Sequence, residues 1–149
     1  MAEPAALLVD ANLVLWAHHR RFPAHEAARR WWAATLSDAP FVGIPWPTIL
    51  AFLRVSTHPR ALERPLAIEQ AWGVVRGWLE RGNVRVPVPG DRHPAILEDL
   101  LVQGRAAGNH AADAHLAALA IEWGLELCSA DRDFARYPGL RWRDPLAGG

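Results

Sequence analysis

Short apolar runs alternate with helical stretches along the whole chain, and this alternation limits the folds that the sequence can adopt. Four apolar runs bounded by proline, glycine or polar residues predict strands at about 6–9, 41–44, 84–86 and 125–129. Strands that are separated by helices pair in parallel, with helices covering both faces of the sheet. We therefore predict a three-layer α/β/α sandwich with a mostly parallel central sheet, as a single domain over residues 1–149.

The helices are predicted from apolar spacing together with start and stop residues. Asp91 is expected to cap one helix, which Gly108 ends, and Gly124 is expected to end the next. A further short run near the C-terminus predicts an edge strand. In chain order, the predicted helices are a short one following the turn 11–16, then 25–36, 48–55, 65–80, 91–105 and 110–123, and the edge strand is at 140–142.

Composition favours a soluble cytoplasmic protein. Hydrophobic residues make up 51% of the chain, which is enough for a core without disulfides, and the single Cys128 is expected to be a buried structural thiol. No apolar run reaches the roughly 18 residues of a membrane span, so no membrane association is expected. The acidic start at residues 1–4 lacks the order of a secretory signal.

Charge gives a mixed indication about nucleic acid. The net charge is zero, yet all 16 basic residues apart from histidine are arginine, which binds phosphate bidentately and would suit an RNA ligand. Coding bias toward alanine and arginine is the plainer explanation. The run His18-His19-Arg20-Arg21 is either a phosphate-contacting loop or, more simply, a solvated turn.

Acidic residues follow two of the predicted strands and begin one helix. Asp10 comes directly after the first strand, Asp131 and Asp133 follow the strand at 125–129, and Asp113 lies in the first turns of the preceding helix. Ligands of open α/β sheets bind outside the carboxyl ends of the strands, so these acids are expected to converge. Crowded carboxylates repel unless a cation neutralises them, and oxygen ligands suit Mg²⁺ or Mn²⁺. The sequence therefore predicts a metal-dependent site that cleaves phosphodiesters.

Each acid taken alone has a simpler explanation. Asp10 could only cap the following helix, Asp113 could be a solvated surface acid, and Asp131 and Asp133 could be turn or N-cap residues. His110, Asp113 and His115 do not all share one helix face, because positions 113 and 115 are two apart, and no cysteine pair supports a zinc site. Structural or surface roles are therefore expected for the two histidines.

The eight tryptophans are unusual for a chain of this length. Those that lie on predicted helices most simply build core, or a groove for a partner helix. Base stacking is a weaker possibility. This interpretation applies to Trp31, Trp32, Trp72 and Trp78.

Four segments together resemble a PIN domain, and more closely the VapC toxins of bacterial toxin–antitoxin pairs. They are Leu7-Leu-Val-Asp10-Ala-Asn12, the tryptophan-rich stretch 45–57, the stretch Gly108 to Ala120 that carries Asp113, and Cys128-Ser-Ala-Asp131-Arg-Asp133-Phe134. The stretch 45–57 is similar to the tryptophan-rich, mycobacterial-like branch of that family.

The resemblance implies a Mg²⁺- or Mn²⁺-dependent endoribonuclease that acts on RNA of the tRNA or rRNA class. It implies a VapB-like antitoxin as inhibitor, and a homodimer. The family's metal ligands map onto Asp10, Asp113 and Asp131, with Asp133 as an additional catalytic carboxylate.

Two further residues match the family's pattern, and one position departs from it. Asn12 and Ser129 match the family's small polar residue after the first acid and its hydroxyl residue before the last. A glutamate that the family commonly carries on the helix after strand two corresponds to Ala51 here. Asp133, Asp91 or Glu98 could supply the missing carboxylate. Without such a substitute, the domain would be a catalytically weak or inactive module that binds RNA or antitoxin.

An enzyme that forms an aspartyl phosphate at Asp10 is a third possibility, because nucleophilic aspartates also lie at strand ends. Such enzymes generally use a lysine beside the acyl phosphate. The chain contains no lysine, which counts against this possibility.

Overall fold

A five-stranded parallel sheet forms the middle layer of the protein. The computed structural model describes residues 5–147, and within them the strand order is β3-β2-β1-β4-β5 with every pairing parallel. All five predicted strands are confirmed: four are shorter than their apolar runs, and the fifth, predicted at 140–142, lies at 142–143. The strands are β1 (Leu7–Val9), β2 (Val42–Gly43), β3 (Val84–Arg85), β4 (Glu126–Cys128) and β5 (Trp142–Arg143).

Six α-helices connect these strands within residues 5–147, and a 3₁₀ helix follows β4. All six predicted helices are confirmed, with ends that differ by a few residues. The first begins directly after β1 instead of following a turn. The helices are α1 (Ala11–His18), α2 (His25–Asp38), α3 (Trp46–Ser56), α4 (Ile68–Leu79), α5 (His93–Gln103) and α6 (His110–Trp123), and the 3₁₀ helix spans Arg132–Arg136.

Alternation along β1 divides the core into two halves. Leu7 and Val9 face one side of the sheet, where α1 to α4 cover it, and Leu8 faces the other, where α5 and α6 cover it. This confirms the three-layer arrangement. We call the first side the aromatic face, because its core contains Trp32, Phe52 and Trp78. We call the second the alanine-rich face, because its core is built on Ala114, Ala117, Ala118 and Ala120 of α6.

The predicted ends of α5 were wrong, whereas the end of α6 was right. Arg92, not Asp91, is the N-cap of α5, and no side chain caps that end. The helix ends at Gln103 rather than continuing to Gly108. By contrast, Gly124 ends α6 with φ 68°, a left-handed conformation that glycine adopts without steric cost.

The order of the strands determines where a ligand-binding crevice can form. β1 lies between β2 and β4, so the chain leaves β1 toward one side of the sheet and returns as β4 on the other. Crevices form at such a switch point, outside the carboxyl ends of the strands. The residues that follow β1 and β4 therefore line one crevice.

Two expectations from composition can be compared with the described residues. Cys128 is fully buried in β4, and burial raises the pKa of its thiol to about 12. Across residues 5–147, none of the helices combines the length and hydropathy that a bilayer crossing requires. The acidic start at residues 1–4 lies outside the described range.

Candidate active site

Asp10 joins the carboxyl ends of the two central strands. Its backbone N–H donates to the carbonyl of Cys128 at 3.0 Å, which ties the end of β1 to the end of β4. Its carboxylate caps α1, with Oδ1 accepting from the N–H of Ala11 at 2.8 Å. The simple cap interpretation is therefore correct. It accounts for one oxygen only, because Oδ2 accepts a second bond at 2.7 Å from the hydroxyl of Ser129.

Ser129 organises the crevice. Its buried hydroxyl donates to Asp10 and accepts from the side-chain amide of Asn12 at 3.3 Å and from the N–H of Asp131 at 3.1 Å. One side chain thus fixes groups from α1, β1 and the turn after β4. The two polar residues suggested by motif resemblance, Asn12 and Ser129, lie together at this point.

Asp113 enters from the first turn of α6, as its sequence position predicted. His110, one turn earlier, has Nδ1 3.6 Å from Oδ2 of Asp113 and 3.8 Å from Oδ2 of Asp133. These separations are longer than hydrogen bonds, so His110 lies beside both acids without a direct bond to either. The Tyr137 hydroxyl donates to the carbonyl of His110 at 3.1 Å and holds the start of α6 against the turn.

Asp131 and Asp133 form the third side of the crevice. Asp131 caps the 3₁₀ helix, with Oδ1 accepting from the N–H of Asp133 at 2.9 Å. Its N-cap role, expected as the simpler explanation, is confirmed. Asp133 is half exposed and faces His110.

Mutual repulsion marks the acids as one electrostatic unit. Burial raises the pKa of Asp10, with a further contribution from the charge of Asp131, against the bonds from Ser129 and Ala11. Burial also raises the pKa of Asp113, and the charges of Asp131 and Asp10 raise it further. Carboxylates from three separate segments therefore lie close enough to interact electrostatically, as the sequence predicted.

The donor set fits a hard divalent cation. In residues 5–147, no three histidine, cysteine, aspartate or glutamate side chains stand close enough together to hold one ion as they are placed. Magnesium usually takes only one or two carboxylates and keeps several waters, so a looser set of acids is compatible with it. Asn12 adds an oxygen, because its buried Oδ1 has no hydrogen-bond partner. Asn12 also bonds Ser129, which holds Asp10, so a cation or its water at the crevice would satisfy this unpaired acceptor.

Two suggested substitutes for the missing glutamate lie elsewhere. Asp91 lies beside Glu122, because the N–H groups of its neighbours Gly90 and Arg92 donate to the Glu122 carboxylate. Glu122 is nine residues, or about 14 Å, along α6 from Asp113. Glu98 lines a cleft with Ile121, which is eight residues and about 12 Å along α6 from Asp113. Those two suggestions were wrong, and only Asp133 lies beside the site.

Ala51 is half-buried on α3 and supplies no acid. Three residues earlier on the same helix, the buried Thr48 donates its hydroxyl to the carbonyl of Val9 at 2.7 Å. This bond fixes the start of α3 against the end of β1. The helix is thus positioned at the crevice without contributing charge there.

The two histidines of α6 have different surroundings. His110 lies between acids at the crevice. His115 instead contacts the buried His93 of α5, with Nδ1 and Nε2 3.1 Å apart. They do not share a ligand position, as their spacing indicated.

Sequence reasoning missed three residues that shape the crevice. His110 was assigned only a structural or surface role, and neither Thr48 nor Tyr137 was considered. The spacing of three residues between His110 and Asp113 on one helix was the available indication. Thr48 and Tyr137 act through backbone carbonyls, and such contacts leave no local sequence pattern.

A family model and named relatives match most of the chain. The family model described as PIN domain matches residues 7–140. Ribonuclease VapC33 of Mycobacterium tuberculosis is 39% identical over 140 residues, covering 94% of this chain and 98% of that protein. Ribonuclease VapC37 of the same organism is also 39% identical, with 94% and 97% covered.

Solved structures with low sequence identity share the fold. One is the DNA-bound VapBC of Salmonella typhimurium, with a TM-score of 0.65 and 22% identity over 95% of this chain and 98% of that one. Another is VapBC-1 of nontypeable Haemophilus influenzae, with a TM-score of 0.61 and 20% identity, covering 94% and 98%. The chain is therefore a PIN-domain protein. Within that class it belongs to the VapC family, as the motif resemblance implied.

Proposed function

We propose that this protein is a metal-dependent endoribonuclease toxin that hydrolyses phosphodiester bonds in RNA and is neutralised by a VapB-like antitoxin. The observation that carries the proposal is the crevice at the switch point. There, the charge of Asp131 raises the pKa of both Asp10 and Asp113, and the neighbouring Asn12 has a buried oxygen without a hydrogen-bond partner. Its relatives that are named ribonucleases support the same reaction class.

The roles follow from how each side chain is held. Asp10 is the best-positioned ligand, since Ser129 and Ala11 fix both of its oxygens. Asp113 is a second ligand from the opposite wall. Asp131 is a further ligand or orients the attacking water, and Asp133 acts with His110 at the exposed rim.

Mg²⁺ or Mn²⁺ is the cofactor that this oxygen-rich set would hold. When bound, the cation makes a nucleophile available from water at neutral pH and offsets charge on the reacting phosphate. The protein's own contribution includes hydrogen bonds that favour the ionised form of Asp10. Ser129 does this by donating to Asp10, which lowers the proton affinity that burial raises.

Partners of the proposed toxin follow from the family and from exposed apolar residues. The substrate is RNA of the tRNA or rRNA class, and we expect a cytoplasmic homodimer built from a single domain. A VapB-like antitoxin helix would find apolar side chains at a spacing of four residues on neighbouring helices. These exposed residues are Trp46 and Leu50 on α3 and Ile68 and Trp72 on α4. Trp32 and Trp78, in contrast, are buried in the core.

The direct test is cleavage of structured RNA by the purified protein. Wild type with Mn²⁺ is expected to give discrete fragments, whereas wild type with EDTA and the Asp10→Ala variant with Mn²⁺ are expected to give none. Cleavage that persists in EDTA or in the variant would point to a contaminating nuclease and contradict the proposal.

A second candidate, a catalytically weak or inactive module, is favoured by one observation. Ala51 provides no carboxylate where the family commonly has glutamate, and of the suggested substitutes only Asp133 lies beside the site. Binding of RNA or antitoxin without cleavage at any Mg²⁺ or Mn²⁺ concentration would favour this candidate over the nuclease.

A further inference from the structure

The loops at the far ends of α1 and α3 carry a concentration of arginine. Residues 18–21 and 54–64 contain five arginines and a single acid, Glu63, in a chain whose net charge is zero. All five are exposed, and the two loops line neighbouring clefts of about 280 and 270 Å³. We call this region the arginine surface; it comprises Arg20, Arg21, Arg54, Arg60 and Arg64.

These cations have no carboxylate partner in residues 5–147. The salt bridges of that part of the chain lie elsewhere, and Glu63 takes part in none of them. With five arginines and a single acid, the region has a local positive potential that attracts anions. Charge complementarity therefore favours a polyanion.

Hydrogen bonds and aromatic packing hold the backbone of the arginine surface in place. Nε2 of His19 lies 2.8 Å from the hydroxyl of the buried Ser56, which joins the two loops. The Arg21 guanidinium donates to the carbonyl of Ala61 and makes a second link. His18 packs edge-on against Phe52 and Trp78 of the aromatic core. Because the backbone is held, the arginines are displayed in a defined arrangement.

Two helices connect this surface to the acidic crevice. α1 begins at Asp10 and ends at His18, a length of about 12 Å for eight residues. α3 begins where Thr48 bonds Val9 and ends at Ser56, about 16 Å for 11 residues. At about 3.4 Å per nucleotide along one strand, this separation corresponds to four or five nucleotides.

We propose that the arginine surface binds the phosphate backbone of the RNA a few nucleotides from the bond that is cut. It holds the substrate without reading its bases, since arginines that contact phosphate position a strand but carry no sequence information. This rests on the proposed function, whose cleavage centre it supplies with substrate. Of the two interpretations of the run at 18–21, the phosphate-contacting loop is the one that we adopt.

The test compares two triple variants that lose the same charge. One is Arg20→Gln, Arg60→Gln and Arg64→Gln, chosen because these side chains make no hydrogen bond or salt bridge within residues 5–147. The control is Arg30→Gln, Arg76→Gln and Arg81→Gln, exposed residues on α2, on α4 and just after α4. Binding of a fluorescein-labelled, mixed-sequence 20-nucleotide single-stranded RNA is measured by anisotropy from 25 to 200 mM salt in EDTA, where no cleavage occurs.

The expected result is a difference between the variants. The slope of log affinity against log salt should fall by about 2 in the arginine-surface variant, because each lost phosphate contact removes about 0.7. Affinity near 100 mM salt should drop by about tenfold to 100-fold. The control variant should match wild type, and equal binding by both variants would overturn the proposal.

Other outcomes separate this proposal from the proposed function. If wild type cuts RNA with Mn²⁺ while both variants bind it equally, the nuclease stands and the arginine surface does not. If only the arginine-surface variant loses binding but wild type never cuts, the surface stands and the nuclease falls. Unchanged RNA binding with lost affinity for poly-L-glutamate would assign the surface to an acidic protein segment and overturn the proposal.

Discussion

Helix α1 has a cluster of acids at one end and a cluster of arginines at the other, and the two clusters are held in different ways. Asp10 is half-buried and hydrogen-bonded through both oxygens, and its pKa is raised by desolvation and by the charge of Asp131. Arg20 and Arg64 are exposed and have no salt-bridge partner in residues 5–147. Water already stabilises an exposed charge, whereas a buried one depends on its neighbours.

This difference indicates how each cluster will respond to mutation. Charges in the crevice act on one another, so changing one alters both activity and stability. On the arginine surface, Arg20, Arg60 and Arg64 make no hydrogen bond or salt bridge through their side chains within residues 5–147, so changing them should alter binding and leave folding unaffected.

The largest effect is expected from Asp113→Asn. Loss of one ligand charge should reduce cleavage of RNA with Mn²⁺ by more than about 100-fold, since even a group that only orients a metal ligand contributes 10–100-fold. Initial rates on a labelled RNA measure this. The matched control is Asp99→Asn on α5, an exposed acid that bonds Gln103 and lies away from the crevice. Equal rates for the two variants would remove Asp113 from the site.

A smaller loss is expected from Ser129→Ala. The variant keeps every acid but removes the hydroxyl that joins Asp10, Asn12 and Asp131. Cleavage should fall by about tenfold to 100-fold, in the range of other groups that orient a metal ligand. Ser37→Ala, an exposed change on α2, is the control. A rate that matches wild type would mean that the hydroxyl is dispensable for positioning.

Replacing Asp10 by asparagine should raise the stability of the metal-free protein, in contrast to the losses of activity expected above. Because its pKa is raised in the folded protein, folding favours the protonated form, and the ionised form lowers stability. Without metal at pH 7, Asp10→Asn should therefore raise Tm by about 2–4 °C, the shift that about 1 kcal/mol produces in a chain of this size.

The pH dependence of this gain follows from the sign of the shift. The loss of stability caused by ionised Asp10 develops as pH rises above 3.8, the ordinary pKa of aspartate, and is complete above the raised pKa. The gain in Tm from Asp10→Asn should therefore shrink as pH falls toward 4. Saturating Mn²⁺ should stabilise wild type by about 2.7 kcal/mol at 100 times its Kd and Asp10→Asn by much less. Thermal melts at several pH values, with and without Mn²⁺, measure both; a variant that melts below wild type at pH 7 would contradict the expectation.

The smallest effect is expected at the arginine end. Arg20→Gln, Arg60→Gln and Arg64→Gln together should change the free energy of unfolding by no more than about 0.5 kcal/mol per site, as is usual for exposed positions. Urea unfolding gives this quantity. A larger loss would mean that these side chains hold the loops, and the contrast between the two ends of α1 would then disappear.

Local patterns in the sequence were enough to predict the order of strands and helices. β1 and β4 are apolar runs ended by polar residues, and the rule for parallel sheets then placed Asp10 and Asp131 at one edge. The cap of α5 failed because Asp91 is adjacent to a second polar residue, and the choice between Asp91 and Arg92 depends on contacts with Glu122 from another helix. Such contacts cannot be inferred from neighbouring residues.

The same limit applies to the site. Which acids converge could be predicted, but the positions of Asp91 and Glu98 on a helix that runs away from Asp113 could not, because that depends on how α5 packs. The contact of His110 with Asp133 likewise arises from the path of the 3₁₀ helix. The arginine surface required the structure, since residues 18–21 and 54–64 are brought together only by the packing of α1 on α3.

The position of Cys128 gives the protein a natural chemical reporter. Its thiol is fully buried in the central sheet beside β1, and the raised pKa leaves almost none of it as thiolate near neutral pH. An alkylating reagent can therefore modify it only after β4 separates from its neighbours. The rate of alkylation follows opening of the sheet itself, and comparing it with and without Mn²⁺ would measure how far a cation at the neighbouring crevice slows that opening.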